Sequence, residues 1–198
     1  NITLLLAQKG YDVLGVDISE DMLTMAHEKA ENLKLRIPFI CQDMRDIDLG
    51  KDIDAALIMC DGANYILDEK GLYRVFSRIY RMLNPKGILI FDISSYYKLS
   101  TILGNNLMAD NDENIALIWQ NFFNKTNRLL TMELAFFIRE HSHYRRFDEV
   151  HVQRAFLPDE LEFILRQAGF INIDYFGEFT FSKPKQNAER IFFIARKG

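Results

Sequence analysis

The sequence predicts an α/β fold built on a doubly wound, mostly parallel sheet, and three observations carry that expectation. Short apolar runs at Tyr11–Asp17, Pro38–Gln42, Ile53–Cys60 and Gly87–Asp92 read as strands. Segments of helical periodicity separate them, which makes βαβ units with right-handed crossovers. The third run, IDAALIMC, is almost continuously apolar, as a strand buried on both faces requires.

Taken in order, the chain opens on a helical repeat of Ile2, Leu5 and Leu6 that Gly10 ends. Val13, Leu14 and Val16 then make a short strand. Ser19 caps a helix whose stripe is Met22, Leu23, Met25, Ala26 and Ala30. Glu69–Leu83 is amphipathic, with Leu72, Val75, Phe76, Ile79, Tyr80 and Leu83 on one side. The tetrapeptide Asn84-Pro85-Lys86-Gly87 is a turn signal ahead of the fourth strand. The pattern then changes. Asn114–Phe123, Arg128–Ile138 and His141–Phe156 are long strand-like segments with alternating polar residues, an antiparallel meander inserted after the fourth strand. Pro158 opens a last helix that Gly169 stops, and Phe170–Phe176 with Ile191–Arg196 read as a closing antiparallel hairpin. Residues 1–93 and 157–198 are therefore expected to form the core, and 94–156 an inserted β cap on the substrate side.

Composition narrows the function. The 198 residues carry 24 Lys and Arg against 28 Asp and Glu, a net charge of −4, with 48% hydrophobic residues. That composition supports a sizeable core and excludes general disorder. The acidic balance weighs against gripping nucleic-acid backbones. No apolar run is long enough to span a membrane, and no signal-peptide pattern is visible, so the reading is a cytoplasmic protein. Cys41 and Cys60 lie in apolar runs and are expected to be buried thiols in a reducing compartment. The histidines lack zinc-site spacing, and no metal site is expected.

In open α/β sheets ligands bind beyond the carboxyl ends of the strands. Here each such end delivers an acid: Asp17, Asp43, Asp61 and Asp92. A carboxylate accepts from both hydroxyls of a ribose, and a second acid on the next strand suits an exocyclic amino group. Asp17 and Asp43, with Ile18, Met22 and Met44 as apolar faces, read as an adenosine clamp. The plain alternative is that Asp residues close strands as turn and cap residues.

These residues resemble a family. Val13-Leu14-Gly15-Val16-Asp17-Ile18-Ser19 with Met22-Leu23 and Ala26 is similar to the second strand and helix of class I S-adenosylmethionine-dependent methyltransferases. Cys41-Gln42-Asp43-Met44 resembles their adenine-binding segment, and Leu83–Asp92 their helix-to-fifth-strand signature. The inserted meander, entered through Asp92–Leu99 and holding Tyr144–Glu149, resembles a bacterial small-molecule-type subgroup with a β-sheet cap. The resemblance implies a Rossmann-like fold, S-adenosylmethionine as cofactor, and methyl transfer to N or O of a small acceptor. It also implies a strand and glycine-rich turn ahead of Asn1, since the helix after that turn matches Asn1–Gln8.

The resemblance implies that Asp17, Ile18, Met22, Asp43, Met44 and Asp61 bind the cofactor. Asn64, Tyr65 and Tyr97 are the catalytic candidates, each with a plain alternative in turn formation, packing or the hinge into the cap. Tyr97, His143 and Arg145 are candidates for holding substrate; His143 and Arg145 share a face of their strand, whereas Arg146 does not. The plain alternative for the cap is a solvated face with ion pairs to Glu133, Asp148 or Glu149. Two other readings stay open: a catalytically silent adenosyl-binding or regulatory module, and a NAD(P)-dependent oxidoreductase. Nucleic-acid methylation is disfavoured by charge and by Asp61-Gly62-Ala63-Asn64 where base-modifying enzymes carry an Asn/Asp-Pro-Pro-aromatic motif. The aromatic-rich cap, with Trp119, Phe122 and Phe123, leaves a dimer open.

Overall fold

The computed structural model describes residues 1–50, 52–141 and 143–198. It divides into two compact units, Asn1–Gly50 and Lys51–Gly198. The expected cap lies inside the second unit.

In the first unit, α1 (Ile2–Gln8) and α2 (Glu20–Asn32) accompany two short strands, β1 (Gly15–Asp17) and β2 (Phe39–Cys41). The strands pair in parallel, Gly15 with Phe39 through Asp17 with Cys41. Leu4, Ala30 and Ile37 make a small core that Val13, Leu35 and Phe39 extend. Gly15 is sterically required, because a Cβ there would stand 2.6 Å from the Phe39 ring. Ser19 caps α2 as expected, its side chain accepting from the Met22 N–H.

The second unit holds two four-stranded sheets. The first runs in the order β3 (Ile53–Ile58), β4 (Leu83–Ser94), β10 (Arg190–Arg196), β9 (Asn172–Gly177). β3 is parallel to β4, and β10 lies antiparallel to both β4 and β9. Helices α3 (Glu69–Met82) and α4 (Pro158–Gln167) bury Leu72, Val75, Phe76, Ile79, Leu161 and Leu165. The Phe91 ring packs on Phe76 and stacks on Phe193 at 4.8 Å, which centres the core on β4 and β10. The second sheet, the cap, is an antiparallel meander of β5 (Leu107–Asn111), β6 (Ile115–Asn124), β7 (Leu129–Glu140) and β8 (His143–Arg154). Leu99, Leu103, Phe123, Leu130, Met132 and Ala155 form its own core.

Several expectations change. β3 is half exposed rather than buried on both faces, with Leu57 42% accessible. Cys41 and Cys60 are both exposed rather than buried. The Asn84–Gly87 turn signal lies inside β4 as a bulge. The register with β3 jumps there from Ile53–Leu83 to Ala55–Ile88, and Lys86 takes a left-handed φ of 66°. The cap has four strands, not three: β5 was missed because all its residues are exposed and it shows no apolar alternation. A π-helical segment, Lys98–Leu103, was also unforeseen. No helix among the described residues is long and apolar enough to cross a membrane.

Candidate active site

In the first unit, β1 and β2 run side by side and end together. The Gln42 N–H donates to the Asp17 carbonyl at 2.9 Å, so the chain leaves both strands at one edge. Asp17 is exposed, and its Oδ1 accepts from the Ser19 N–H at 2.9 Å. Its other oxygen has no partner among the described residues. Beside it, Ile18 and Met22 are more than half exposed. A carboxylate edged by exposed apolar groups fits a ribose and its base.

Asp43 is engaged differently. It caps the short Met44–Asp46 turn, accepting from the Arg45 N–H at 2.8 Å, and its two oxygens also receive the Arg45 guanidinium. To accept from an adenine amino group it must release that side chain. The guanidinium is about half exposed, so the exchange costs on the order of 0–1 kcal/mol. Met44 follows, half-buried.

The second unit builds a denser polar centre. Cys60 and Asp61 take left-handed φ values of 58° and 53° at the end of β3. Their successive N–H groups converge on the buried Asp92 carboxylate, at 2.7 Å to Oδ1 and 3.0 Å to Oδ2. Arg190, from the start of β10, pairs with Asp92 and donates to Asp61 Oδ1 at 3.0 Å. Burial alone would lower the guanidinium's affinity for its proton, but the two carboxylates outweigh that and raise it. Gln153 of β8 donates to Asp61 Oδ2 at 2.7 Å. The Asp61 carboxylate is thus oriented from both sides.

Asn64 is fully buried. Its amide nitrogen donates to the Ser94 and Arg154 carbonyls, at 3.1 and 2.9 Å, and its oxygen accepts the Ser94 N–H at 3.0 Å. It ties the turn after β3 to β4 and to the cap, and no part of it is offered to a ligand. That corrects its candidacy as a catalytic group.

A cavity of about 310 Å³ opens beside this centre, lined among others by Asp61, Tyr65, Lys98, Trp119, His151 and Gln153. Burial pushes the Tyr65 hydroxyl above its ordinary range. A hydrogen bond with Gln153 pulls against this, while the charges of Asp61 and Glu149 add to it. Tyr65 therefore stays a protonated donor at neutral pH. Tyr97 is half-buried at the head of the π-helical segment and does not line the cavity, whereas its neighbour Tyr96 packs edge-on against Phe123 in the cap core.

His143 and Arg145 lie elsewhere. Both reach Glu140, at 3.9 and 2.9 Å, on the exposed β7–β8 hairpin. They share strand parity with His151 and Gln153, which line the cavity, but His143 and His151 lie eight positions apart along β8, roughly 26 Å. Arg190, Lys98, Trp119, His151 and Gln153 had no local signal naming them. Among the described residues no three His, Cys, Asp or Glu side chains gather as a metal would need.

With this geometry in view, comparison with known proteins identifies the relationship. A family model described as a methyltransferase domain matches residues 1–87. The methyltransferase-family protein YqeM of Bacillus subtilis (strain 168) is 37% identical over 197 residues, covering 99% of this chain and 79% of that protein. The chain belongs to the class I S-adenosylmethionine-dependent methyltransferases. A crystal structure of such a methyltransferase from Clostridium acetobutylicum ATCC 824 superposes with a TM-score of 0.89 at 33% identity. It covers 95% of this chain and 76% of its own. The CcbJ methyltransferase of Streptomyces caelestis, at 18% identity and a TM-score of 0.83 over 98% of this chain and 77% of its own, shares the fold. The family accounts for the Rossmann-like layout with its antiparallel closing strands and inserted sheet.

Proposed function

We propose that this chain transfers the methyl group of S-adenosylmethionine to a nitrogen or oxygen of a small acceptor. The single observation that carries the reading is the parallel pair β1–β2, which brings Asp17 and Asp43 past one strand edge beside exposed Ile18 and Met22. On this reading Asp17 accepts from the ribose hydroxyls, Asp43 and Met44 take the adenine, and Ile18 and Met22 cover its faces. Asp61, the candidate of the second unit, keeps a second lone pair on each oxygen beyond Arg190 and Gln153. The cofactor supplies an activated methyl group on a sulfonium. The chain's own work is to hold the acceptor in line and receive its proton. The cavity beside Asp61 has the volume of a small-molecule site, which supports a small acceptor rather than a macromolecule. Residues 94–156 act as the specificity cap through Trp119, His151 and Gln153.

Calorimetric titration of S-adenosylmethionine, S-adenosylhomocysteine and NADH into the protein and its Asp17→Ala variant tests this. We expect micromolar binding of both adenosyl ligands, weakened roughly ten- to a hundredfold by the substitution, the loss of charge-assisted hydrogen bonds to a diol. Binding of NADH alone would move the assignment to a nicotinamide enzyme. Adenosyl binding without turnover across a panel of small amines and hydroxyl compounds would favour a silent binding module.

A further inference from the structure

We infer that Tyr65, His151 and Glu149 form a proton relay out of the cavity, with Tyr65 touching the acceptor and His151 and Glu149 positioning and discharging it. The inference deepens the methyl-transfer reading and rests on it. Tyr65 ends the turn Gly62–Tyr65 after β3 and lines the cavity, as does His151. Its hydroxyl lies 3.4 Å from His151 Nδ1, and the two rings meet edge to face at 6.0 Å. Such separations in ligand-free sites shorten when the substrate arrives. On the far side, His151 Nε2 lies 3.0 Å from Glu149 Oε2.

The chemistry follows from the partners. A carboxylate accepts only, so Nε2 carries the imidazole hydrogen and the neutral ring presents a bare Nδ1 lone pair to the tyrosine. Glu149 and His151 alternate onto one face of β8, and Gln153, next on that face, is anchored to Asp61 at 2.7 Å. The strand therefore cannot slide without breaking that bond. Glu149 is about half exposed, which gives the proton a way to water.

Tyr65 alone is a poor base, because a phenol is protonated at neutral pH and partial desolvation strengthens its hold on the proton. It can accept a proton only while giving its own away, and His151 is placed to take it. As the acceptor atom gains a methyl group, its X–H bond breaks and the bonding pair stays on X. An O–H bond forms at Tyr65 while the original one breaks, and an N–H bond forms at Nδ1. The resulting imidazolium faces the Glu149 carboxylate, and its Nε2 proton leaves through that group to solvent. No oxidant or further reactant is needed.

The titratable groups around the cavity are Asp61, Tyr65, Lys98 and His151, with Glu149 behind the imidazole. Two measurements test the relay. Nitrogen-15 spectra of the histidines should show His151 as the Nε2–H tautomer in the protein and in Tyr65→Phe, and mixed tautomers in Glu149→Ala. Methyl transfer from S-adenosylmethionine to ethanolamine, a probe small enough for the cavity, should fall about a hundredfold in kcat for Tyr65→Phe, with KM little changed. A His151 tautomer indifferent to Glu149, or Tyr65→Phe turning over at the normal rate, would overturn the relay. Calorimetry on the same variants separates the two failures: loss of S-adenosylmethionine binding by the unmodified protein defeats the methyl-transfer reading, whereas retained binding with the wrong tautomer defeats the relay alone.

Discussion

The acids of the first unit and those of the second are the same side chain held in opposite ways. Asp17 and Asp43 each accept from groups two positions away at their strand ends, Asp17 exposed and Asp43 about a fifth exposed. Asp61 and Asp92 are held at long range. Arg190 reaches Asp61 across 129 positions and Asp92 across 98, and Gln153 reaches Asp61 across 92. Of the locally held pair, one Asp17 oxygen has no partner among the described residues, whereas both oxygens of Asp43 already receive Arg45. An acid held by distant partners fixes the shape of a loop, and its removal is felt throughout the fold.

The contrast predicts a steep gradient of effects. Asp92→Ala should be the most damaging, since it leaves two N–H groups and the Arg190 guanidinium without their buried partner. A cost of about 3–5 kcal/mol is expected, with a fall in Tm of roughly 10 °C or more by calorimetric melting. Asn64→Ala should follow at about 2–3 kcal/mol, because the Ser94 N–H and two carbonyls lose their buried partner. A near-neutral Asn64→Ala would mean that the turn after β3 is held without it.

Glu160 sharpens the comparison through pH. Burial tends to raise its carboxyl, yet the Leu157 N–H and the guanidinium groups of Arg128 and Arg154 prevail and hold it below its ordinary value. A carboxyl whose folded value is depressed contributes stability at pH above its unfolded value, near 4.3. That contribution drains away as pH falls through the lower, folded value. Glu160→Gln should therefore lose stability at neutral pH and show a flatter decline on the acid side in denaturant titrations. An unchanged acid limb would remove Glu160 from the hub joining α4 to the cap. Smallest of all should be Arg45→Ala, within about 1 kcal/mol of the parent in stability. If Asp43 serves an adenine, this variant should bind S-adenosylmethionine at least as tightly as the parent; weaker binding would assign Arg45 itself to the site.

The same contrast explains what could be read in advance. Strand ends, the Ser19 cap and the Pro158 start are short-range features, so Asp17, Asp43 and the core helices were legible from spacing alone. Period-two alternation also showed which residues of β8 share a face. It could not say how far along that face the cavity lies, and His143 and Arg145 lie at the other end of the strand from His151 and Gln153. Arg190 was invisible because only strand pairing brings β10 against β4. Asn64 was visible but misread: a polar residue after a strand end looks the same in sequence whether it faces a ligand or three backbone groups. The exposure of β3, Cys41 and Cys60 was missed because an apolar run does not reveal which of its faces are covered.

The loop of Cys60 and Asp61 has an electrical consequence. Its paired N–H groups form the kind of cradle that elsewhere captures a phosphate or carboxylate, but here the chain fills it with its own Asp92. Two carboxylates, Asp61 and Asp92, meet one guanidinium at this junction, and Lys98, which also lines the cavity, supplies a second cation. An anion that approaches the loop therefore meets no vacant cradle, because both N–H groups already serve Asp92.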